Sequence, residues 1–371
     1  FSSEIGNRIL RTEFLDSLPA DCIYGYRNKT QLPVGRSKDG RIVTGFYAGR
    51  THVIVENETC LLTERDNSDI VGIIKAHMDK YSIEPYDERT RTGLVRHILI
   101  RTGVKAVAKW DKTHITQTAP AYVVMVCLII NGKEMPHEDD LTAALREVPG
   151  VSSVMLNTNT EATNVILGDE LRCLYGDDYI TDTMGELSFR IGAKSFYQVN
   201  RNQAFRIYRK AEEYAGLTGK ETVLDLYCGI GTISLFMARH AGFVYGVEIV
   251  PEAIDNAVAN AVINGIDNVE FITGAAEDVV PGLLRENPDI RPDVIVVDPP
   301  RKGCDERLLR MMLEAAPERI VYVSCDPATL SRDLKYLCGS DYCLRSVTAA
   351  DQFSRTGHVE SVVLMSRVEG E

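Results

Sequence analysis

The sequence contains little that would place it in a membrane or outside the cell. No apolar run among its 371 residues approaches the roughly 20 that a membrane-spanning helix needs, and the N-terminus does not resemble a signal peptide. Its nine cysteines are odd in number and irregular in spacing, which argues against a disulfide framework and for a reducing compartment. We therefore expect a cytoplasmic protein with no membrane partner.

The sequence also has fewer basic than acidic residues: it contains 41 Lys and Arg and 53 Asp and Glu, which gives a formal net charge of −12. Taken alone, this balance argues against a nucleic-acid-binding protein. Two local runs reverse it: residues 89–112 hold seven basic residues and one acid, and residues 186–210 hold six basic residues and one acid. One such run is typical of a solvated surface, but two on an acidic chain indicate a local track for phosphate groups.

The length of the chain predicts two domains. Residues 1–190 contain short β-type runs separated by turn signals, together with a predicted helix over residues 4–18, a short helix over 141–147 and a strand over 151–156. We predict a smaller α+β domain over this part of the chain.

From about residue 191, strand-like and helix-like segments alternate. This rhythm is typical of an α/β fold with a doubly wound, mostly parallel sheet, which we predict for residues 191–371. The predicted strands are 222–226, 243–247, 269–272, 294–297, 320–323 and 359–365, and the helices read most clearly are 233–240 and 251–264.

A cysteine follows one of these strands in Ser324-Cys325-Asp326-Pro327. Asp326 is typical of a helix N-cap and Pro327 of a first helical residue, so Cys325 should lie at the carboxyl end of a strand, beside a helix N-terminus. Ligands bind at that edge of open α/β sheets, and the helix end favours a thiolate. Most free cysteines are simply small buried residues, and position alone leaves both interpretations open.

A glycine-rich turn follows the strand at 222–226. Gly229 and Gly231 allow a close backbone approach to a ligand, but Thr232 and its successors break the three-glycine spacing of a dinucleotide site. Glu248 follows the next strand and suits the two hydroxyls of a ribose, although it could be a surface charge. An adenosine-type cofactor without a pyrophosphate fits both facts, and S-adenosylmethionine is the natural candidate. Tyr227 is either a cofactor neighbour or a core aromatic.

Asp298-Pro299-Pro300-Arg301 follows another predicted central strand. The two prolines stiffen the backbone just past the strand, where they could hold a flat base, and Asp298 supplies an acceptor or a charge. Lys302 adds a second basic residue to Arg301. A plain loop containing prolines is the alternative.

Five segments in this order resemble the RNA uracil-5 methyltransferases that form 5-methyluridine. Residues 195–203 resemble the opening of that family's catalytic domain, and residues 26–29 and 45–47 also match, so the resemblance covers nearly the whole chain. The five segments are LDLYCGIGT, GVEIVPEAIDNA, VDPPRKGC, VSCDPATLSRDL and HVESVVLM.

The resemblance implies a Rossmann-like S-adenosylmethionine methyltransferase domain after the smaller domain. It implies that Cys325 is the nucleophile and Glu360 the general base, with Asp298 at both the catalytic and the cofactor site. The other expected cofactor positions are Gln198, Tyr227, Gly229, Gly231, Thr232 and Glu248. The expected RNA contacts are Arg301, Lys302, Arg96, Arg101, Trp110 and Arg201.

The target of methylation stays open between ribosomal RNA and the tRNA T-loop. The ribosomal branch of the family commonly has an N-terminal RNA-binding domain and a four-cysteine iron–sulfur cluster, whose fourth ligand Cys60 resembles. The first three ligands would form a C-x5-C-x2-C run that is absent here and that would precede Phe1 in the family layout, so either the chain is part of a longer one or the cluster is absent. We predict 23S ribosomal RNA as the substrate, a monomer, and no metal centre in this chain.

Two other functions compete with this interpretation. Amino-group methylation at the Asp-Pro-Pro loop usually requires an aromatic residue where Arg301 stands, and it has no use for Cys325. A non-catalytic RNA-binding or folding factor with an inherited cofactor pocket would bind RNA without transferring a methyl group.

Overall fold

The computed structural model of the chain describes residues 12–57, 59–105 and 121–368. The chain divides into two units. The smaller unit contains residues 24–183 and 190–194, and the larger unit contains residues up to 23, residues 184–189 and everything from 195 onward. Within the described ranges, no helix is long and apolar enough to cross a membrane.

Strands predominate in the smaller unit, and strands alternate with helices in the larger one. Among the described residues, the strands are β1 (Glu13–Phe14), β2 (Lys29–Arg36), β3 (Ile42–Tyr47), β4 (Ile54–Glu56), β5 (Val95–Val104), β6 (Tyr122–Ile130), β7 (Val151–Thr158), β8 (Glu170–Gly176), β9 (Tyr179–Met184), β10 (Leu187–Gly192), β11 (Thr222–Leu226), β12 (Phe243–Glu248), β13 (Val269–Thr273), β14 (Val294–Val297), β15 (Arg319–Ser324), β16 (Tyr342–Ala350) and β17 (Glu360–Arg367). The helices of the same residues are α1 (Ser68–Lys80), α2 (Glu138–Arg146), α3 (Arg201–Ala215), α4 (Thr232–Ala238), α5 (Pro251–Asn264), α6 (Ala276–Glu286), α7 (Glu306–Ala315) and α8 (Pro327–Cys338).

The smaller unit is built on a seven-stranded sheet in the order β4-β3-β2-β5-β6-β7-β8. Only β6 and β7 pair in parallel, and α2 connects them as a crossover helix. Alternate residues of β5 and β6, such as Ile98 and Leu128, face a core that also contains Ile74 of α1 and Leu141 of α2. This is the α+β architecture that the turn signals and short strands predict. Strands β9 and β10 form a separate two-stranded hairpin.

The larger unit contains an eight-stranded sheet in the order β1-β16-β17-β15-β14-β11-β12-β13. Strands β11 to β15 are parallel, whereas β17 enters between β15 and β16 and is antiparallel to both. Helix α3 packs on β14, β15 and β17, and α4 and α5 pack on the strands at the other end of the sheet. The strand order reverses between β11 and β14, which is the point where ligands bind in doubly wound sheets.

Residue parity separates the two faces of this sheet. Leu226, Val297, Tyr322 and Val363 are paired across four neighbouring strands, and all four lie in an apolar core with α6, α7 and α8. Because side chains alternate along a strand, the residues adjacent to these four project toward the opposite face. The acidic residues of the candidate site lie on that opposite face.

Most predicted elements of the larger unit agree with the structure, and three agree at both ends: 222–226, 251–264 and 294–297. The helix predicted over residues 4–18 is wrong for its described part. Residues Glu13–Phe14 form an edge strand parallel to β16, and the Leu15 N–H donates to the Val347 carbonyl at 3.0 Å. Pairing with a sheet edge satisfies these backbone groups, and it overrides the local helical pattern.

A cavity in the core of the smaller unit should lower the free energy of unfolding substantially. Leu128 is 0% exposed, whereas Leu61 of the same unit is 72% exposed. We expect Leu128→Ala to lower the free energy of unfolding by about 2–5 kcal/mol, because its methyl groups leave an unfilled space. The matched Leu61→Ala variant should change it by about 0.5 kcal/mol at most. Urea unfolding followed by circular dichroism compares the two, and equal losses would contradict this assignment of the core.

Candidate active site

The candidate site lies at one edge of the larger sheet. The parallel strands β11, β12, β14 and β15 end there, and the antiparallel strand β17 begins there. Because β17 runs antiparallel to its neighbours β15 and β16, its first residue lies at the edge where they end. Residues from five separate segments, each predicted on its own to contribute to the site, therefore lie at this edge.

Strand register places the predicted nucleophile and base next to each other. The pairing of β15 with β17 ends at Ser324 and Ser361, and Cys325 and Glu360 directly adjoin that last pair. The charge of Glu360 accordingly acts on Cys325 and raises the pKa of its thiol. Asp298 lies one residue past the Val297–Tyr322 pair on β14. By residue parity, Asp298, Cys325 and Glu360 project to the same face of the sheet.

The glycine turn is held against β12 and packs tightly. Backbone N–H groups of Tyr227 and Cys228 both donate to the Val247 carbonyl at 3.0 Å. Gly231 has a φ of 80°, and a Cβ atom there would lie 2.8 Å from the Phe271 ring and 3.2 Å from the Ala257 methyl. Only glycine fits this position, so the turn brings bare backbone to the sheet edge, and Thr232 opens α4 directly after it. These features fit an adenosine-type ligand lying over the turn.

Glu248 is oriented by the backbone around it. Its Oε2 accepts the Gly229 N–H at 3.2 Å and its Oε1 accepts the Val250 N–H at 3.0 Å. The carboxylate is partly exposed at the end of β12, beside the glycine turn. This geometry suits acceptance of ribose hydroxyl donors, and that role remains a prediction.

Gln198 has a partner that the sequence did not reveal. Its Oε1 accepts from Nε2 of Gln352 at 3.1 Å, and the Gln352 carbonyl accepts from Asn200 at 3.1 Å. Gln352 is fully buried in the segment between β16 and β17. Asn200 also caps α3 by accepting the Gln203 N–H. The pair of glutamines therefore fixes Gln198 through a residue 154 positions away, and no local pattern signals such a contact.

Three carboxyl groups near this edge hold their protons more tightly than usual. Burial raises the pKa of Glu360, which is 4% exposed, to about 7, although Arg301 opposes the shift. Burial also raises the pKa of Asp225 to about 7, even though the Ser234 hydroxyl donates to it at 2.5 Å. The pKa of Asp298 is raised well above its usual range by burial and then by Glu360 and Asp225. The sequence identified Asp298 and Glu360 but missed Asp225, which lies inside an apolar-looking strand.

Cys325 does not have the lowered pKa that its place beside a helix suggested. Burial, followed by the negative charges of Glu360 and Asp298, raises the pKa of its thiol, and Arg301 only partly opposes this. The helix end is already satisfied, because the Asp326 carboxylate accepts the Ala328 and Thr329 N–H groups at 2.9 and 3.0 Å. In the ligand-free protein, the thiol is therefore protonated at neutral pH.

The basic residues predicted to contact RNA fall into two groups. Arg301 and Lys302 are exposed on the loop after β14, and Arg201 is partly exposed at the start of α3. Trp110 lies outside the described residues.

Arg96 and Arg101, by contrast, are buried in the smaller unit, at 4% and 3% exposed. Arg96 donates to the carbonyls of Asn159 and Glu161 at 2.7 and 2.8 Å, and Arg101 donates to the Ala193 carbonyl at 3.3 Å. The expectation that these two arginines contact RNA does not fit their positions, because an enclosed guanidinium cannot reach a phosphate. They hold backbone segments together instead.

An exposed aromatic residue, Phe196, lies near Gln198 and was not predicted from the sequence. It leaves 71% of its surface exposed, two residues before Gln198.

Cys60 is partly buried, and within the described ranges no group of three His, Cys, Asp or Glu residues could hold a metal ion. The described residues therefore do not by themselves make an iron–sulfur site.

The tight glycine turn allows a direct test of cofactor binding. We expect Gly231→Ala to weaken binding of S-adenosylhomocysteine by roughly tenfold or more, because the new methyl group forces the turn away from Phe271. The control Gly282→Ala adds a methyl where no atom lies within 4 Å and should leave affinity unchanged. Calorimetric titration measures both. Unchanged affinity in a folded Gly231→Ala protein would show that the ligand does not use this turn.

The chain resembles known RNA methyltransferases over nearly its whole length. Residues 151–368 match the family model described as tRNA (uracil-5-)-methyltransferase. An uncharacterized RNA methyltransferase from Clostridium acetobutylicum is 45% identical over 93% of this chain and 72% of its own length. A second, from Halalkalibacterium halodurans, is 45% identical over 92% of this chain and 70% of its own length.

A solved structure extends the likeness to three dimensions. The Pyrococcus abyssi tRNA (uracil-54, C5)-methyltransferase, crystallised with S-adenosylhomocysteine, superposes with a TM-score of 0.75 at 26% identity, covering 95% of this chain and 78% of that one. The eight-stranded sheet is accordingly a Rossmann-like methyltransferase fold, and S-adenosylmethionine is the cofactor that its glycine turn fits. The chain belongs to the tRNA (uracil-5-)-methyltransferase family and is an S-adenosylmethionine-dependent RNA uracil-5 methyltransferase.

Proposed function

We propose that the protein methylates carbon 5 of one uridine in 23S ribosomal RNA through a transient covalent bond between Cys325 and carbon 6 of the uracil. The observation that supports this most is the β15–β17 register, which sets Cys325 beside Glu360 at the edge that carries the glycine turn. A nucleophile and a base that can both reach one ring are what a two-step addition and elimination requires.

The uracil ring needs activation because its carbon 5 is a poor nucleophile. The Cys325 thiol first loses its proton to solvent, and the thiolate then forms a bond with carbon 6. The electron pair of the ring double bond moves toward the carbonyl at carbon 4, giving an enolate that is nucleophilic at carbon 5. Bound S-adenosylmethionine supplies an electrophilic methyl group to that carbon.

The elimination step falls to Glu360. The methylated adduct has one surplus proton on carbon 5, and the ionised carboxylate accepts it. The released electron pair restores the ring double bond, and the carbon–sulfur bond breaks to give back the Cys325 thiolate. With a pKa of about 7, Glu360 is partly ionised at neutral pH and can serve as a base there.

Asp298 is suited to a different task. Burial and two neighbouring acids raise its pKa well above the usual range, which favours the protonated form that can donate a hydrogen bond rather than only accept one. We assign its proton to a uracil carbonyl, where negative charge develops in the enolate. Arg301 is the cation that the same pKa shifts place near Cys325 and Glu360.

The uridine must leave its base stack to reach this edge. Arg301, Lys302 and Arg201 are suited to hold the flanking phosphates, and the exposed ring of Phe196 offers a surface on which a base could stack. The likeness of Cys60 to a cluster ligand supports ribosomal RNA as the substrate. A tRNA T-loop uridine is the second candidate, because the matching family model and the Pyrococcus abyssi relative are both named for tRNA.

Trapping with 5-fluorouridine RNA tests the covalent step. Fluorine on carbon 5 cannot leave as a proton does, so wild-type protein with cofactor should form an RNA complex that survives denaturing electrophoresis. Cys325→Ala should form none, whereas Cys343→Ala, which changes a partly buried cysteine on β16, should trap normally. Glu360→Gln should accumulate adduct even on ordinary uridine RNA. Absence of any trapped complex with wild-type protein would overturn the mechanism.

The target RNA can be assigned separately. In a strain lacking the gene, mass-spectrometric mapping should show loss of one 5-methyluridine from 23S ribosomal RNA, with the tRNA T-loop unchanged. Loss from tRNA alone would favour the second candidate and leave the covalent chemistry in place.

The elimination step should depend on pH. Glu360 acts as a base only when ionised, so release of tritium from RNA containing [5-³H]uridine should fall as pH drops through about 7. In a single turnover that starts from the Cys325 adduct already formed, the release rate should be half-maximal near that pH, because thiol ionisation then no longer contributes. A rate that stays constant from pH 5.5 to 8 would rule out Glu360 as the limiting base.

A further inference from the structure

The loop that carries Arg301 is attached to helix α8 by its backbone carbonyls. Thr329 donates its hydroxyl to the Arg301 carbonyl at 3.1 Å. Arg332 Nη2 donates to the carbonyls of Lys302 and Cys304 at 3.0 and 2.8 Å. Three carbonyls within four residues thus accept hydrogen bonds from two side chains of the same helix.

Asp333 completes this attachment from inside the protein. Its carboxylate is 0% exposed, and Oδ2 accepts the Cys304 N–H at 2.8 Å and the Tyr322 hydroxyl at 2.7 Å. Its Oδ1 accepts from Nε of Arg332 at 2.8 Å. The Arg332 guanidinium is charged, and hydrogen bonds from a charged donor are shorter and stronger than neutral ones.

Close packing leaves the loop little freedom to shift. Gly303 has a φ of 72°, and a Cβ atom there would lie 2.6 Å from Asp333 Oδ2 and 2.7 Å from Arg332 Nη2. The loop backbone therefore lies directly on the Arg332–Asp333 pair. Movement of the loop would deprive the buried Asp333 carboxylate of the Cys304 N–H donor and the Arg332 guanidinium of two carbonyl acceptors, and the loss at the buried carboxylate is costly in a low-dielectric interior.

The helix that holds the loop, α8, also follows Cys325 closely in the chain. Helix α8 begins at Pro327, two residues after Cys325, and its N-cap Asp326 is fixed by the first turn. Arg301 in turn opposes the rise in pKa that burial, Glu360 and Asp298 impose on Cys325. The hydrogen bonds between the loop and α8 therefore join the backbone of Arg301 to the helix that follows Cys325.

We propose that Arg332 and Asp333, supported by Tyr322, are positioning residues that hold Arg301 in range of the Cys325 thiol. This inference rests on the proposed covalent function, and none of the three residues contacts the substrate in it. Their role is to keep the positive charge of Arg301 at a fixed place, where it balances the negative charge of the thiolate and then of the enolate.

Alkylation of Cys325 tests the proposal without RNA. Iodoacetamide reacts with the thiolate, so its rate at pH 8, followed by mass spectrometry of the Cys325 peptide in the full chain, reports on the neighbouring charges. Arg301→Gln and Arg332→Gln should each slow the reaction by roughly threefold or more, because the thiol loses its nearby cation. Arg332→Lys should recover part of the rate, since one ammonium can still reach one carbonyl.

The double variant and a control separate positioning from general damage. Arg301→Gln combined with Arg332→Gln should react no more slowly than Arg301→Gln alone, because the second change acts only through the first. Arg310→Gln, which removes an exposed arginine that pairs with Glu306 on α7, should leave the rate unchanged. The half-exposed position of Arg332 makes Arg332→Gln compatible with folding, and thermal melting verifies this.

Two results would overturn the proposal. One is an Arg332→Gln protein that melts normally and is alkylated at the wild-type rate. The other is a double variant in which the two effects multiply, since Arg332 would then act independently of Arg301. If wild-type protein fails to trap 5-fluorouridine RNA while the alkylation pattern holds, the covalent function fails and the positioning of Arg301 stands.

Discussion

The site depends on the antiparallel entry of β17 between β15 and β16. In a wholly parallel sheet, the residue that begins a strand lies at the edge opposite the ligand. Reversal of β17 moves its first residue, Glu360, to the edge where β15 ends, one residue before Cys325, and Ser324 and Ser361 are the last pair between the two strands. The backbone pairing of β15 with β17 therefore brings the proposed nucleophile and base to the same edge, and ordered secondary structure is a more exact support than a loop would be.

A second constraint is the excess of acid at that edge. The charges of Glu360 and Asp298 act on Cys325, and that of Asp225 acts on Asp298. Arg301 is the cation that opposes the rise in pKa of both Cys325 and Glu360. Burial and the neighbouring acids favour the protonated form of Asp298, and burial raises the pKa of Glu360 to about 7, as the proposed donor and base require. Burial and the charges of Glu360 and Asp298 also make the Cys325 thiol harder to ionise. The same electrostatic field thus helps two steps of the proposed reaction and hinders one, which explains why the position of a single arginine matters.

Sequence predicted the larger unit well because its signals are local. Residues 251–264 have a helix-starting proline and a closing glycine, and 294–297 is a buried apolar strand, so each segment carries its own boundaries. The ordered motifs then identified Cys325, Asp298 and Glu360.

The features that the sequence did not predict share a different cause. Burial of Arg96, the link between Gln198 and Gln352, and the edge pairing of Glu13–Phe14 are all set by residues distant in sequence. Charge and periodicity along the chain carry no information about such partners.

The apparent conflict between a protonated thiol and an acidic site is reduced by the order of events. In the proposed mechanism, Cys325 needs its negative charge only until sulfur bonds to carbon 6, and the charge then moves onto the ring and is cancelled when the methyl group is transferred. Glu360 needs its charge only afterwards, when the neighbouring sulfur is a neutral thioether. The two groups therefore never have to be negative together for chemistry to proceed, although they are adjacent on the ladder. A rigid, close pair is acceptable here because its members are used in turn, and a mechanism that required both ions at once would favour wider spacing.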